Sequence, residues 1–152
     1  MGTLKDLLTS DMRTALKARD ELTTSTLRMA LAAIGNAEVA GKAKRELSDQ
    51  EVLAVLTKEE KKRREAAAAF GDAGRAEQAA RERAEGAVLD RYLPKQLPDD
   101  ELADLVAGAL SAGGFTDRGQ MGPAMKAAQA AVAGRAEGGR VAAEVRRQLG
   151  AG

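Results

Sequence analysis

A short stretch of glycine and arginine near the C-terminus has the residue types that bind phosphate. Gly134, Arg135, Gly138 and Arg140 lie around the predicted start of the last helix. Free backbone N–H groups and the positive end of the helix dipole favour an anion at a helix N-terminus, and Lys126 could add positive charge. These five residues form a candidate RNA- or phosphate-binding site.

The same stretch also has a purely structural explanation. Gly134 is typical of a helix stop, and Glu137 can cap the next helix or place a favourable negative charge at its N-terminus. Arg135 is then a surface or salt-bridging residue. The sequence leaves capping and phosphate binding open as alternatives.

Four consecutive basic residues, Lys61, Lys62, Arg63 and Arg64, form a second candidate, a possible basic helix face. Consecutive residues spread around a helix, so these four cannot all line one groove. A solvated face is the alternative, because carboxylates at helical spacing can pair with them. The available partners are Glu59, Glu60 and Glu65.

Lys95 is the best-fixed basic side chain, because it lies between Pro94 and Pro98. Each proline lacks a backbone donor, fixes its own φ and disfavours helix in the residue before it. The sequence therefore predicts a stiff connector at residues 94–98, the proline hinge. Lys95 is a further candidate phosphate contact, although its side chain can also simply cover the hinge.

Catalytic chemistry has little support in this sequence. Histidine and cysteine are absent, which removes imidazole bases, thiolate nucleophiles and most zinc sites. Residues 71–74 are too short for a Walker loop and lack the following Lys-Ser/Thr. The carboxylates, including Glu82 and Glu85, are expected on solvated helix faces. We predict no catalytic residues, no cofactor and no metal.

Composition favours an all-α fold. Hydrophobic residues make up 44% of the chain and aromatic residues only 2%, and the apolar residues are mostly alanine and leucine, which favour helices over strands. An N-terminal helical domain at residues 1–93, a bundle of about four helices, is expected to join a small three-helix tail domain at 99–152 through the proline hinge.

Helix boundaries follow from apolar periodicity and capping residues. Thr3 can cap the first helix, and Ser48 with Glu51 forms a capping box at the start of the third. Thr23 to Ser25 are expected to open the second. The predicted helices cover about residues 3–19, 23–41, 48–70, 75–92, 99–112, 119–132 and 139–149.

The N-terminus indicates neither a signal peptide nor a membrane span, because it carries an acidic residue, Asp6, and no long apolar run. A cytoplasmic protein is expected.

Four motifs, in order and spacing, carry a resemblance that covers nearly the whole chain. The motifs are Leu27-Arg28-Met29, Lys61-Lys62-Arg63-Arg64-Glu65, Tyr92-Leu93-Pro94-Lys95-Gln96-Leu97 and Gly134-Arg135-Ala136-Glu137-Gly138. With them the chain resembles the YqeY family, whose helical domain pair is similar to the C-terminal tail of GatB, the B subunit of the glutamine-dependent tRNA amidotransferase. One departure is Glu137, where the family usually has aspartate.

The resemblance implies contact with tRNA rather than chemistry. The leading hypothesis is an accessory protein that binds tRNA, or an amidotransferase or aminoacyl-tRNA synthetase acting on it. The alternative is a helical protein-interaction module that uses the alanine-rich residues 127–133. The resemblance also links the chain to carbon–nitrogen ligases with glutamine as amido-N-donor, an activity expected only of an assembled complex.

Overall fold

The structure, a computed structural model, describes residues 3–150. Seven α-helices and one short 3-10 helix cover this part of the chain, which contains no strand, and the all-α prediction is confirmed. The helices are α1 Leu4–Lys17, α2 Glu21–Val39, α3 Asp49–Asp72, α4 Ala76–Asp90, α5 Asp99–Gly113, α6 Met121–Val132 and α7 Gly138–Gly150, and Arg118–Gln120 forms the 3-10 turn before α6.

The chain separates into two compact units, Met1–Leu93 and Pro94–Gly152, here called unit 1 and unit 2. Each has its own hydrophobic core. The core of unit 1 contains Leu8, Leu27, Ala30, Ile34, Val52, Leu56, Val88 and Leu89. The core of unit 2 contains Leu97, Leu102, Val106, Leu110, Ala124, Ala128, Val132, Ala136, Val141, Val145 and Leu149. That either unit folds independently as a domain stays a prediction.

Side chains cap the starts of α1, α2 and α3, whereas the start of α4 has no side-chain cap. Thr3 and Ser48 both form complete capping boxes, with Asp6 and Glu51 respectively, as the sequence predicts. The predicted start of α2 is wrong. Asp20 is the N-cap, and its carboxylate accepts hydrogen bonds from the Thr23 backbone N–H at 3.1 Å and hydroxyl at 2.7 Å, so the helix begins at Glu21.

Three helices end in Schellman motifs, in which two backbone N–H groups beyond the helix bond back to its last carbonyls. Gly74 after α3 and Gly114 after α5 occupy the left-handed position, with φ of 75° and 70°. The motif after α1 has an arginine there: Arg19 has φ 60°, and the N–H groups of Arg19 and Asp20 donate to Leu16 and Ala15.

The helices α3 and α4 pack closely through small side chains. Ala67 and Ala79 are buried, and the nearest atom to a Cβ built at Gly86 is the Cβ of Arg63, at 3.7 Å. Small side chains let two helix backbones approach, as the alanine-rich composition suggests.

The prediction that the carboxylates lie on solvated faces is wrong for three of them. Glu85 is only 7% exposed, and Glu38 and Glu59 are also buried. Each has a cation close by: Lys5 Nζ lies 2.8 Å from Glu38 Oε1, and Arg63 lies near both of the other two. A buried carboxylate needs such a partner, and hydropathy cannot reveal one.

Unit 2 is a three-helix assembly in which α6 packs against both α5 and α7. The helix α5 begins at Asp99 as predicted. The predicted start of α6 at residue 119 is two residues early, because Asp117 first caps the 3-10 turn. Pro123 is the third residue of α6, where its missing N–H breaks no intrahelical bond.

No helix within residues 3–150 is long and apolar enough to cross a membrane.

Candidate nucleic-acid interface

Leu97 of the proline hinge forms hydrogen bonds with the glycine–arginine stretch at residues 134–140. Its backbone N–H donates to the Arg135 carbonyl at 2.7 Å, and its carbonyl accepts from Arg140 Nη2 at 2.8 Å. Its side chain lies in the core of unit 2 together with Ala136. Two sequence motifs about forty residues apart therefore form one structural element.

The Arg135 side chain caps the end of α6. Its Nε donates to the Val132 carbonyl at 3.1 Å and its Nη2 to the Ala131 carbonyl at 3.5 Å. The last carbonyls of a helix have no intrahelical partner and carry partial negative charge, so a guanidinium group is favourable there. This contact is structural and uses part of the donor capacity of Arg135.

Arg140 connects the start of α7 to the start of α5. Besides the Leu97 carbonyl, its Nη2 donates to Asp99 Oδ1 at 2.8 Å. The carboxylate compensates the charge of this arginine. Arg140 therefore offers less attraction to a phosphate than the sequence suggested.

The glycines shape the chain around these arginines. Gly134 follows α6 with φ 78°, a left-handed conformation that favours glycine. Gly138 and Gly139 are the first residues of α7, and no atom lies within 4 Å of a Cβ built at either one. The first turn of α7 thus has open space beside it.

Lys95 and Lys126 are the exposed cations of the candidate site. Neither has an ion pair or a side-chain hydrogen bond within the described part of the chain. Lys95 lies two residues before the bonded Leu97, whereas Lys126 lies on the exposed side of α6. Among the described residues, no hydrogen bond or ion pair joins Lys126 to the stretch that begins at Gly134.

The basic run of α3 does not present one face. Lys61, Lys62 and Arg64 are exposed, whereas Arg63 lies half-buried against α4. The expected pairing is present: Lys62 lies 3.0 Å from Glu59, Arg64 3.3 Å from Glu60, and Lys61 4.0 Å from Glu65.

Arg63 is surrounded by three carboxylates. The Arg63 Nε lies 3.4 Å from Glu85 and 3.9 Å from Glu82, and Nη2 lies 3.9 Å from Glu59. Nη2 also contacts the Met29 sulfur at 3.5 Å. This side chain therefore joins three helices of unit 1 and is not available as part of a nucleic-acid face.

The model of the Yqey-like protein family matches residues 5–149, which is nearly the whole chain. The chain belongs to the YqeY-like family. No curated protein matches it.

The chain that enters the proline hinge of this YqeY-like protein is held at Tyr92. Its hydroxyl donates to Asp11 Oδ2 of α1 at 2.6 Å. Burial, and then the hydrogen bond and charge of the Asp11 carboxylate, raise the pKa of Tyr92 well above its usual value. The tyrosine therefore stays protonated and anchors the residues after α4 within unit 1.

Two features of this YqeY-like protein were not visible in its sequence. One is the pair of hydrogen bonds at Leu97, whose partners, the Arg135 carbonyl and the Arg140 guanidinium group, lie about forty residues further along the chain. The other is a set of three arginines, one in the turn after α1, one in α2 and one in α4, that line one cavity of unit 1. No spacing rule connects them, because they belong to separate elements of the fold.

No metal-binding site is evident in the part of the chain that the structure describes. Within residues 3–150, no group of three or more aspartate or glutamate side chains is arranged to hold a metal ion.

Proposed function

We propose that this YqeY-like protein is a tRNA-binding accessory protein that acts with an amidotransferase or aminoacyl-tRNA synthetase complex and has no catalytic centre of its own. The family supports the proposal, because its resemblance to the GatB tail implies contact with tRNA. The observation that carries it is Lys95, an exposed cation without a carboxylate partner among the described residues. Lys95 lies two residues before Leu97, whose backbone N–H and carbonyl are both hydrogen-bonded. A cation on ordered backbone loses less conformational freedom when it binds.

Lys95 and Lys126 are the proposed phosphate contacts. Arg135 and Arg140 have a supporting role, because each already donates to carbonyls or to a carboxylate within unit 2. A guanidinium group has five N–H donors, so both arginines keep the capacity for a further contact. Most of the salt-dependent affinity is assigned to the two lysines.

Recognition is proposed to depend on phosphate positions and the shape of a folded RNA. Base stacking requires exposed aromatic rings, and the chain has only three aromatic residues. Tyr92 and Phe115 pack against the two cores. Shape and backbone contacts are the usual alternative for structured RNA.

A salt titration of tRNA binding tests the proposal. Purified tRNA is titrated with the parent protein and with Lys95→Ala, Lys126→Ala and the matched control Lys58→Ala, an exposed lysine of α3 without an ion pair in the described chain. The slope of log K against log salt is negative, and loss of one phosphate contact should decrease its steepness by about 0.9. The first two variants should show this decrease and weaker binding, and the control should match the parent.

Absence of tRNA binding by the parent at low salt would overturn the proposal. Equal losses in all three variants would overturn the assignment to Lys95 and Lys126 and indicate a general charge effect. Arg135→Ala is a less informative probe, since removal of a helix cap lowers stability as well.

The alternative, a protein-interaction module, has weaker support. It depends on the alanine-rich residues 127–133, yet Ala128 is completely buried in the core of unit 2. Ala130 and Ala133 are the exposed alanines of that segment. A specific protein that copurifies with the chain and is lost on Ala130→Glu would favour this function.

A ligase role within an assembled complex has a separate test. Glutaminase activity of the isolated chain would show that it carries its own catalytic centre, and would contradict the accessory role proposed above.

A further inference from the structure

Three arginines line one cavity of unit 1, whereas the proposed tRNA contacts belong to unit 2. The cavity has a volume of about 330 Å³ and is open to solvent, since five of its seven lining residues are exposed. Its lining comes from the end of α1, the first two turns of α2 and the middle of α4. The residues are Leu16, Arg19, Glu21, Thr24, Ser25, Arg28 and Arg81.

Positive charge dominates this cavity. Glu21 is the one carboxylate among the lining residues. Arg19 and Arg28 have no carboxylate within 4.0 Å in the described part of the chain, whereas Arg81 Nε lies 3.3 Å from Glu85. Glu85 is itself shared with Arg63 at 3.4 Å. The cavity therefore has an excess of guanidinium donors over the carboxylates that could satisfy them.

Arg19 occupies a position that the same chain elsewhere gives to glycine. It has φ 60° in a Schellman motif, and the equivalent positions after α3 and α5 are Gly74 and Gly114. A left-handed conformation costs a residue with a side chain about 1 kcal/mol or more relative to glycine. Arginine at this position is therefore less favourable for folding than glycine, and its side chain lines the cavity.

Hydroxyl groups complete the polar lining. Thr24 is buried, and its hydroxyl donates to the Asp20 carbonyl at 2.7 Å. Ser25 is half-buried and donates to the Leu22 carbonyl at 3.2 Å. A serine hydroxyl can rotate, so Ser25 can donate instead to an anion in the cavity.

We propose that this cavity, the arginine pocket, binds the phosphate group of a phosphate ester. Guanidinium groups match the oxygens of phosphate with paired hydrogen bonds. The cavity is larger than a phosphate ion, so the remaining space accommodates the organic part of the ligand. Leu16, which is 56% exposed at the cavity, provides an apolar contact for that part.

The phosphate can come from a free small molecule or from an RNA backbone. Both sources offer the same oxygens to the arginines. The proposal does not depend on tRNA binding by unit 2, because it concerns different residues, and the variants that test the two proposals do not overlap.

The first experiment titrates inorganic phosphate and a nucleoside 5′-monophosphate into the full chain at constant ionic strength and follows backbone amide signals by NMR. The amides of Ser25 and Arg28 should shift. Arg28→Gln should weaken binding about tenfold, equivalent to about 1.4 kcal/mol. Arg13→Gln, an exposed α1 arginine outside the cavity, should leave the affinity unchanged.

Arg19→Gly separates binding from folding. The substitution relieves the left-handed strain, so the midpoint of thermal unfolding should rise by a few degrees, while phosphate affinity should fall by several-fold. If the variant is more stable than the parent, partial unfolding cannot explain its weaker binding of phosphate. If the variant is stabilised and binds phosphate as well as the parent does, Arg19 is not part of the site.

The same variants identify the source of the phosphate. Weaker tRNA binding by Arg28→Gln, with competition by inorganic phosphate, supports an RNA phosphate in the pocket. Unchanged tRNA binding with weaker nucleotide binding supports a free phosphate ester. The proposal is overturned if neither probe shifts the pocket amides, or if Arg13→Gln and Arg28→Gln have equal effects.

Discussion

Among the residues first considered as RNA contacts, the arginines and the lysines of unit 2, together with Arg63, differ in what they contact. Arg63, Arg135 and Arg140 contact carboxylates or backbone carbonyls within their own units, whereas Lys95 and Lys126 extend from exposed positions. The planar guanidinium group makes several directed hydrogen bonds at once, while the lysine ammonium is compact and strongly hydrated. Among these five residues, the three arginines make contacts within the fold, and the two lysines are those proposed to contact tRNA.

Arg63→Ala tests this separation within the basic run. Removal of this side chain leaves Glu59, Glu82 and Glu85 close together without their shared cation. Because Arg63 is 18% exposed, the loss in free energy of unfolding is expected to be about 2 kcal/mol, less than for a fully buried pair. Urea unfolding monitored by circular dichroism measures it.

Lys61→Ala is the control for that experiment, because Lys61 is exposed and 4.0 Å from its partner Glu65. The expected change is within about 0.5 kcal/mol. A double variant, Arg63→Ala with Glu85→Ala, should be less destabilised than the sum of the single variants. Equal effects of Arg63→Ala and Lys61→Ala would show that the buried ion pairs contribute little.

At the scale of helices, the boundaries depend on local hydrogen bonds. Thr3, Asp20 and Ser48 supply side-chain oxygens at helix starts, and Schellman motifs satisfy carbonyls at three helix ends. In α6 the guanidinium of Arg135 takes part of this role. Two helices also carry an internal glycine, which lowers helix stability without a packing reason visible in the structure.

Gly35→Ala in α2 and Gly108→Ala in α5 are expected to stabilise the protein. No atom lies within 4 Å of a Cβ built at either position, and alanine in a helix interior is favoured over glycine by about 0.5–1 kcal/mol. Chemical unfolding of each variant should show an increase of this size.

Gly114→Ala is the matched opposite, because Gly114 has φ 70° at the end of α5. It should destabilise the protein by about 1 kcal/mol. A loss of stability in Gly108→Ala would indicate that the exposed side of α5 makes a contact that a methyl group disturbs.

At the scale of the whole molecule, both units contain carboxylates that stabilise the folded state only when they are ionised. Hydrogen bonds from Arg45 and then from the Ser48 backbone lower the pKa of Glu51 to about 2. Lys5 lowers the pKa of Glu38, and Arg147 lowers that of Glu144. These groups lie in both units, so acid should affect both.

Stability should therefore fall as the solution becomes acidic. A carboxyl group whose pKa is lower in the folded than in the unfolded state stabilises the fold above its unfolded pKa, and this stabilisation is lost as pH falls through the folded value. For Glu51 the window extends from its ordinary value of 4.5 down to about 2. The urea concentration at the midpoint of unfolding should decrease steadily as the pH is lowered across this window.

The urea midpoint of Glu51→Gln should depend less on pH than that of the parent, because glutamine does not titrate. A parent midpoint that is constant across the acidic range would contradict the assignment of these carboxylates.

The sequence by itself determined the elements that depend on neighbours a few residues apart. The all-α fold, the capping boxes at Thr3 and Ser48, and the start of α5 at Asp99 follow from apolar periodicity and caps, whose hydrogen bonds span three or four residues. The start of α2 was missed because Thr23 and Asp20 are both good caps, and local preference does not decide between them.

Only the tertiary structure decided what the charged side chains contact. The hydrogen bond from Arg140 to Leu97 spans 43 positions, and the pairing of Glu85 with Arg63 joins two helices. The arginine pocket is lined by residues from three helices and the turn after α1. A charged residue has the same local preference whether it faces water or an opposite charge on another helix. The geometry that distinguishes these cases exists only after the helices have packed.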